Sequence, residues 1–181
     1  VTRLTMTLDP GRIKRGLTAN MAMGPPIAPG KTYTLEIDRD WPDARGVGMI
    51  EGFRKSFRGG AAVRVPPDPK TWVRTVQKAG TLEALVVTFP EPMNEALLRR
   101  MIRVSGPGGD AAGAVSTARA ETQWRFVPNA AWKAGDYSLV VDTGIEDLAG
   151  NRIGQAFDID VFERVTKHIE TKTISLGVKI R

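Results

Sequence analysis

GKTYTLEID at residues 30–38 and GDYSLVVD at residues 135–142 are two versions of one pattern. In each, apolar and polar residues alternate after a glycine, which is the period of a β-strand with one buried face. From the tyrosine onward the second stretch follows the first at a constant offset of 104 positions, which predicts one β unit present twice. The matched pairs are Tyr33 and Tyr137, Leu35 and Leu139, Asp38 and Asp142, Asp43 and Asp147, Gly46 and Gly150, and Phe53 and Phe157.

The two copies differ in length. Residues 70–163 are long enough for a complete β-sandwich, whereas residues 1–65 begin at a strand that lies past the middle of the second copy. Residues 66–69, Pro-Pro-Asp-Pro, predict a stiff linker, because proline fixes φ and donates no ladder hydrogen bond. Residues 164–181 are a basic tail with a terminal strand, in which the alternating apolar residues are Ile174, Leu176, Val178 and Ile180.

An incomplete first unit would expose an apolar sheet face and open strand edges, which proteins normally avoid. Three arrangements would cover them: sequence upstream of Val1, packing against the second copy, or a strand from the tail. We favour upstream sequence, and the chain opens on Val1 rather than on Met. Pairing of the tail strand with the first copy is the more specific alternative.

The remaining secondary structure is predicted from alternation and turn residues. Residues 94–102 are the only stretch that reads as helical, for one or two turns. Gly-Pro-Gly-Gly at 106–109 predicts a hairpin turn rather than a phosphate-binding loop. Many short strands between turns predict an all-β fold, a sandwich or a barrel. Further strands are expected at 4–8, 82–89, 123–127 and 157–161.

The composition excludes several kinds of catalytic site. The 181 residues include one His and no Cys, so disulfides, thiolate metal ligands, a Cys nucleophile and a multi-His site are ruled out. Two clusters of carboxylates could supply an acid and a nucleophile, but they fall in equivalent turns of the two copies, where turn formation accounts for them. They are Asp38, Asp40 and Asp43 in the first copy and Asp142, Glu146 and Asp147 in the second. We therefore predict no catalytic residue, no cofactor and no enzymatic activity. No apolar run of about 20 residues is present, so no membrane span is expected.

The chain carries 26 Lys and Arg against 20 Asp and Glu, a formal net charge of +6. A basic surface can bind polyanions through salt-dependent contacts. Nucleic acid is not an expected partner, because no array of stacking aromatic residues accompanies the basic runs. A solvated face is the simpler interpretation. The candidate polyanion contacts are Arg12, Lys14, Arg15, Arg54, Lys55 and Arg58.

A calcium loop and a carbohydrate platform are two further candidates. Calcium takes about six to eight oxygen ligands, and the acidic residues after the second copy's strand do not match an EF-hand spacing. Trp41 beside Pro42 would suit a sugar ring, but its repeat partner is Ile145, which favours packing. The candidate calcium ligands are Asp142, Glu146, Asp147 and Asn151.

The second copy reads VTFPEPMN at 87–94, FVP at 126–128, AGDY at 134–137 and DLAGN at 147–151. These motifs resemble the bacterial immunoglobulin-like domains of S-layer and surface proteins. The resemblance implies an immunoglobulin-like β-sandwich, in tandem with a partial unit. The first copy departs from the pattern, since it lacks the Asn of DLAGN. The structural motif residues are Tyr33, Tyr137, Asp43, Gly46, Asp147, Gly150 and Asn151.

Each motif also has a local interpretation. The tyrosines are expected to act as tyrosine corners, in which the ring packs and the hydroxyl caps a loop carbonyl. The carboxylates of Asp43 and Asp147 are expected to accept hydrogen bonds from amides two or three residues further on, while the following glycine takes a positive φ.

The expected role is a non-catalytic scaffold, spacer or adhesion-type interaction module of an exported bacterial protein, periplasmic or at the cell surface. A carbohydrate-binding or polyanion-binding accessory domain of a larger protein is the alternative. The expected partners are other domains of the parent chain or another protein, with polysaccharide as a further candidate. Residues 1–20 contain no apolar core of the length that a signal peptide needs.

Overall fold

The computed structural model describes residues 6–43, 45–157 and 172–181. Most of the regular structure in these ranges is β-strand in antiparallel sheets, with a few short helices, so the predicted all-β class is confirmed. Within the same ranges, no helix has the length and apolarity needed to cross a membrane. The chain divides into two compact units, Val1–Val63 and Arg64–Arg181.

The first unit contains two short helices and a two-stranded sheet. The helices are α1 (Pro10–Ile13) and α2 (Thr18–Met23). The strands β1 (Thr32–Ile37) and β2 (Phe53–Arg58) are antiparallel, with Thr32 opposite Arg58 and Ile37 opposite Phe53. The strand predicted at the first copy of the repeated pattern is therefore present.

The two helices differ from what the sequence predicts. Residues 94–102 are not the only helical stretch, and residues 6–8, within the strand expected at 4–8, form no strand. Asp9 is the physical reason, because its carboxylate accepts a hydrogen bond from the Gly11 amide at 2.9 Å and caps α1, which begins with a proline. The other residues of that expected strand lie outside the described ranges.

The second unit contains two four-stranded antiparallel sheets and one short helix, α3 (Glu95–Arg100). Its strands are β3 (Val73–Arg74), β4 (Leu85–Thr88), β5 (Ile102–Gly106), β6 (Gly109–Asp110), β7 (Gly113–Ala118), β8 (Gln123–Pro128), β9 (Gly135–Asp142) and β10 (Thr173–Ile180). One sheet has the order β10-β9-β5-β6, and the other has the order β3-β4-β8-β7.

Both sheets of the second unit contribute to one hydrophobic core. Leu85 and Trp124 come from β4 and β8, the two central strands of the β3-β4-β8-β7 sheet, while Leu139 and Val141 come from β9. All four side chains are completely buried. Burying an apolar side chain of this size stabilises the fold by roughly 1.5–3 kcal/mol, so these alternating residues hold the two sheets together.

The tail strand β10 pairs with β9 of the second unit. The register runs from Thr173 opposite Asp142 to Ile180 opposite Gly135. The alternative in which the tail pairs with the first copy is therefore wrong. The alternation in the tail is the reason, since it carries Val178 and Ile180 into the core of the second unit, where both are buried.

Local structure in the first half of the second unit follows the prediction. Asn94 caps α3 by accepting two backbone hydrogen bonds. β5 and β6 are joined by a two-residue hairpin loop, with Gly106 opposite Gly109.

The strand expected at 157–161 is not seen at Phe157, which lies in a turn. Its other residues lie outside the described ranges.

The Pro-Pro-Asp-Pro stretch at 66–69 leads into a single 3-10 turn, Pro69–Thr71. Asp68 begins this turn by accepting a hydrogen bond from the Lys70 amide at 3.0 Å. The division between the two compact units falls just before this stretch, after Val63.

Replacing Ile180 with alanine tests the position of β10. We expect Ile180→Ala to lower the free energy of unfolding by about 2–5 kcal/mol, because it leaves a cavity in the core. Urea unfolding followed by tryptophan fluorescence measures this, since Trp124 and Trp132 are buried in the same core. Lys179→Ala, at the exposed neighbouring position, is the matched control and should change stability by less than about 0.5 kcal/mol. Equal effects of the two substitutions would contradict the assignment.

Candidate functional site

A buried aspartate and asparagine hold the loop that follows β9. Oδ1 of Asp147 accepts hydrogen bonds from the amides of Ala149 (2.8 Å) and Asn151 (2.9 Å). Oδ2 of Asp147 accepts from Nδ2 of Asn151 at 2.7 Å, and the Phe157 amide donates to Oδ1 of Asn151 at 2.9 Å. Gly150 closes the turn with a φ of 83°. Both carboxylate oxygens are therefore used within the chain.

The corresponding loop of the first unit repeats the bonds to Oδ1 of the aspartate 104 positions earlier, but it has Val47 in place of Asn151 and so lacks the bonds of that side chain. Oδ1 of Asp43 accepts from the amides of Arg45 (2.8 Å) and Val47 (3.0 Å). The Gly46 amide donates to the Asp43 carbonyl at 3.0 Å, and Gly46 has a φ of 81°. The acceptor role expected of both aspartates is observed, with the amides two and four residues further on as donors.

A second matched turn follows each strand directly. Asp38 accepts from the Asp40 amide through Oδ1 at 2.8 Å and from the Trp41 amide through its carbonyl at 3.1 Å. Asp142 accepts from the amides two and three residues further on in the same way, at 2.8 and 3.1 Å. The turns after β1 and β9 thus share these two hydrogen bonds, and the turns that follow share the bonds to Oδ1 of Asp43 and Asp147.

Four apolar positions of the first unit are less buried than their counterparts in the second. We call these the open positions: Leu35, Ile37, Trp41 and Met49. Their counterparts, 104 positions later, are Leu139, Val141, Ile145 and Ile153, of which none is more than 7% exposed. By contrast Trp41 is 56% exposed and Met49 is 36% exposed, and the other two open positions are half-buried. The same local structure therefore carries an uncovered apolar surface in the first unit.

The packing expected for Trp41 is wrong, since more than half of its surface is exposed. Its counterpart Ile145 belongs to a core formed largely by residues that precede β9. In residues 6–43 and 45–63, no apolar side chain is buried. Trp41 is exposed because the described part of the first unit supplies no such core.

The two tyrosines make different contacts. The Tyr33 hydroxyl accepts a hydrogen bond from the Ala28 amide at 2.7 Å, so its partner is a loop N–H rather than the expected carbonyl. The Tyr137 ring stands edge-on to Trp132, with ring centroids 5.4 Å apart, and lies against Gly106. A Cβ at position 106 would come within 2.3 Å of that ring, so the close packing requires glycine.

The candidate calcium ligands are engaged by other groups. Oε1 of Glu146 pairs with Nε of Arg152 at 2.8 Å, and Asp142 accepts hydrogen bonds from its own turn. Asp147 and Asn151 bond to one another. Among the residues that the structure describes, no group of three or more His, Cys, Asp or Glu side chains is placed to hold a metal ion.

Three of the six basic candidates lie on β2, where alternation separates them. Arg54 and Lys55 are successive strand residues and so point to opposite faces. Nε of Arg54 pairs with Oε1 of Glu36 at 3.2 Å. Arg58 shares the face of Arg54, and its Nε donates to the Gly30 carbonyl at 3.1 Å. The structure therefore does not bring these three cations to one surface.

The other three basic candidates lie at α1. Nε of Arg12 donates to the carbonyl of Gly24 at 3.2 Å, which connects α1 to the end of α2. Lys14 is the C-cap residue of α1, and Arg15 follows it. Arg12 thus has a structural role that the sequence did not indicate.

An open groove of about 570 Å³ lies at the end of the β1–β2 sheet. Residues 36–39 and 52–54 line it, with both charged and apolar side chains. Trp41 does not line the groove, although its amide donates to the carbonyl of Asp38, which does. A carbohydrate platform would need an exposed aromatic ring close to such a groove.

Sequence reasoning predicted an exposed apolar sheet face in the first unit and considered Trp41 as a carbohydrate platform, but it did not identify Leu35, Ile37 and Met49 as a possible binding surface. The signal was the offset of 104, because it pairs each open position with a residue of the second copy. Only the measured burial of those counterparts distinguishes a covered surface from an uncovered one.

No protein-family model matches the chain, and no curated protein matches it at a significant level.

Replacing the two loop aspartates separately tests how much each loop depends on its carboxylate. We expect Asp147→Ala to lower the free energy of unfolding by about 2–4 kcal/mol, because it leaves the buried Asn151 side chain and two amides without their acceptor. Asp43→Ala, in an exposed loop, should cost about 1 kcal/mol or less. Chemical denaturation of both variants provides the comparison. A larger loss for Asp43→Ala than for Asp147→Ala would contradict this account.

Proposed function

We propose that the chain is a non-catalytic, immunoglobulin-like interaction module of an exported bacterial protein, with a complete second unit and a partial first unit. The observation that carries the proposal is the uncovered state of the open positions. A module that binds another protein needs an apolar surface that its own fold does not cover, and such surfaces mark interaction sites.

The two-sheet core supports the immunoglobulin-like part of the proposal. Two four-stranded antiparallel sheets share one core around Trp124, as in sandwich folds. The matched hydrogen bonds of the Asp43 and Asp147 loops support a tandem repeat. Unrelated sequences would have little reason to reproduce these bonds at one offset.

The use of the carboxylates supports a non-catalytic role. General acid–base chemistry needs a carboxylate that faces a substrate in a concave pocket. Asp147 instead accepts three hydrogen bonds from its own loop, and Asp43 accepts two. These side chains hold the backbone, so their function is structural.

An adhesion-type interaction module fits the exposure better than a spacer does. A spacer needs only a stable core, which the second unit supplies without the first. The open positions add exposed apolar surface that contributes nothing to the stability of a lone module and becomes favourable only when a partner covers it.

A carbohydrate-binding role is the second candidate. The exposure of Trp41 favours it, because an exposed aromatic ring can stack on the apolar face of a sugar. The polyanion-binding role receives less support, because Arg54 and Lys55 point to opposite faces of β2.

Native gels that contain soluble polysaccharides separate the first two candidates. If the module binds protein, the wild-type chain and Trp41→Ala should migrate equally in gels with and without each polysaccharide. Retardation of the wild-type chain that Trp41→Ala abolishes would contradict the proposal and support the carbohydrate-binding role. Phe57→Ala, a half-buried aromatic substitution on β2, is the control for a general loss of structure.

Fractionation of the source bacterium tests export. An antiserum raised against the chain should detect the parent protein in the periplasmic or surface fraction. Recovery of the parent protein with cytoplasmic markers would contradict this part of the proposal.

A further inference from the structure

β1 and β9 differ in how many of their edges are paired. β9 has β10 on one edge and β5 on the other. Within the described residues, β1 pairs with β2 alone. Among these residues nothing pairs with the other edge of β1, which we call the open edge, and two of the open positions, Leu35 and Ile37, lie on this strand. An unpaired edge with an apolar face beside it is the structure to which an added strand binds.

Backbone hydrogen bonds in the second unit show which edge of β9 each neighbour occupies. Successive strand residues point their N–H and C=O groups to opposite edges. The Thr143 amide donates to the Lys172 carbonyl at 2.9 Å, so odd-numbered residues of β9 face β10. The Asp142 amide donates to the Met101 carbonyl at 2.9 Å, so even-numbered residues face β5.

The same reasoning identifies the open edge of β1. The Gly59 amide donates to the Lys31 carbonyl at 2.8 Å, so odd-numbered residues of β1 face β2. Because 104 is an even number, each odd-numbered residue of β1 corresponds to an odd-numbered residue of β9. β2 therefore pairs with the edge of β1 that corresponds to the edge of β9 paired with β10. The open edge, to which Thr32, Thr34 and Glu36 point their backbone groups, corresponds to the edge that β5 occupies.

The pairing of β5 with β9 predicts what the missing strand would look like. β5 places Ile102 and Val104 opposite buried residues of β9, with a basic residue between them. Shifted by 104 positions, the same register puts apolar residues opposite Ile37 and Leu35 and a basic residue opposite Glu36. Glu36 already pairs with Arg54 of β2, and a basic residue on the other side would add a second cross-strand pair of opposite charge.

We infer that the open edge of β1 is a docking site for one antiparallel strand, donated by a partner polypeptide, with an apolar-basic-apolar sequence that faces Ile37, Glu36 and Leu35 in turn. The inference rests on the proposed function and names its partner's chemistry. The main chain of the donated strand bonds to Thr32, Thr34 and Glu36. Its apolar side chains cover the open positions on β1.

A second copy of this chain fits the site less well. β1 carries no basic residue, so two copies that paired through β1 would leave Glu36 without an opposite charge from the partner strand. β5 of another copy is already paired on both sides, with β9 and β6. A separate strand with the apolar-basic-apolar sequence of β5 has neither disadvantage.

Titration of the isotope-labelled full chain with a peptide of residues 99–106, RRMIRVSG, tests the site by NMR. We expect saturable shifts of the Thr32, Thr34 and Glu36 amides, larger than those of the odd-numbered amides that already bond to β2. A peptide with aspartate at the positions of Ile102 and Val104 is the control and should cause no shifts.

Two chain variants make the test specific. Thr34→Pro removes an N–H that points to the open edge and keeps the backbone hydrogen bonds of β1 to β2, although it loses the side-chain bond from Thr34 to Ser56, so it should abolish peptide binding. Glu36→Arg should weaken binding of the peptide about threefold, and a peptide with Glu in place of Arg103 should restore it. The charge reversal keeps the test valid should the proline variant misfold.

Three results would overturn the inference. The first is the absence of any chemical-shift change in β1 at millimolar peptide, and the second is a larger change at the odd-numbered β1 amides than at the even-numbered ones. The third is a dimer of the free chain in which the Thr32, Thr34 and Glu36 amides are already protected from exchange. Throughout the titration the amides of β9 report on the second unit and should not change. If the β9 amides of the free chain were not protected from hydrogen exchange, that result would count against the proposed immunoglobulin-like fold. Failure of the proposed function and failure of the docking inference are therefore distinguishable.

Discussion

The covering of an apolar strand face is the constraint on which this structure depends. β9 satisfies it completely, because β5 and β10 pair with its two edges and the opposite sheet covers Leu139 and Val141. β1 has the same alternation and the same following turns, but its apolar residues are only half-buried. Hydrophobic burial is the dominant favourable term in folding. The buried face of β9 therefore stabilises the second unit, whereas the half-buried face of β1 would become stabilising only when a partner covers it.

Sequence alone could predict the local structure of this chain well, since alternation and turn chemistry act over a few residues. The strand that begins at Thr32, the aspartate-bonded loops and the Gly106 hairpin all follow from such signals. The position of β10 was harder to predict, because alternation shows that a strand has an apolar face without showing which core receives it. Arg12 illustrates the same limit, since its contact with the end of α2 joins segments that no local pattern connects.

The site depended on comparison within the molecule rather than on any single motif. Trp41 by itself reads as a residue that packs, because its counterpart is an isoleucine. The structure reverses that expectation, since Ile145 is buried in a core formed largely by residues that precede β9 and the described part of the first unit supplies no such core. The repeated sequence therefore predicted that the loops after β1 and β9 have similar backbone hydrogen bonds. It did not predict how far their side chains are buried, because burial depends on which other residues of each unit pack against them. An internal repeat provides its own reference for what a covered surface looks like.

Residue-resolved hydrogen exchange of the free chain tests the central claim most directly, namely that β1 is a sandwich strand with one edge unpaired. The account predicts fast exchange at Thr34 and Glu36 and slow exchange at their counterparts Ser138 and Val140, whose amides point to β5. Slow exchange at all four amides would contradict it, because β1 would then be paired on both edges.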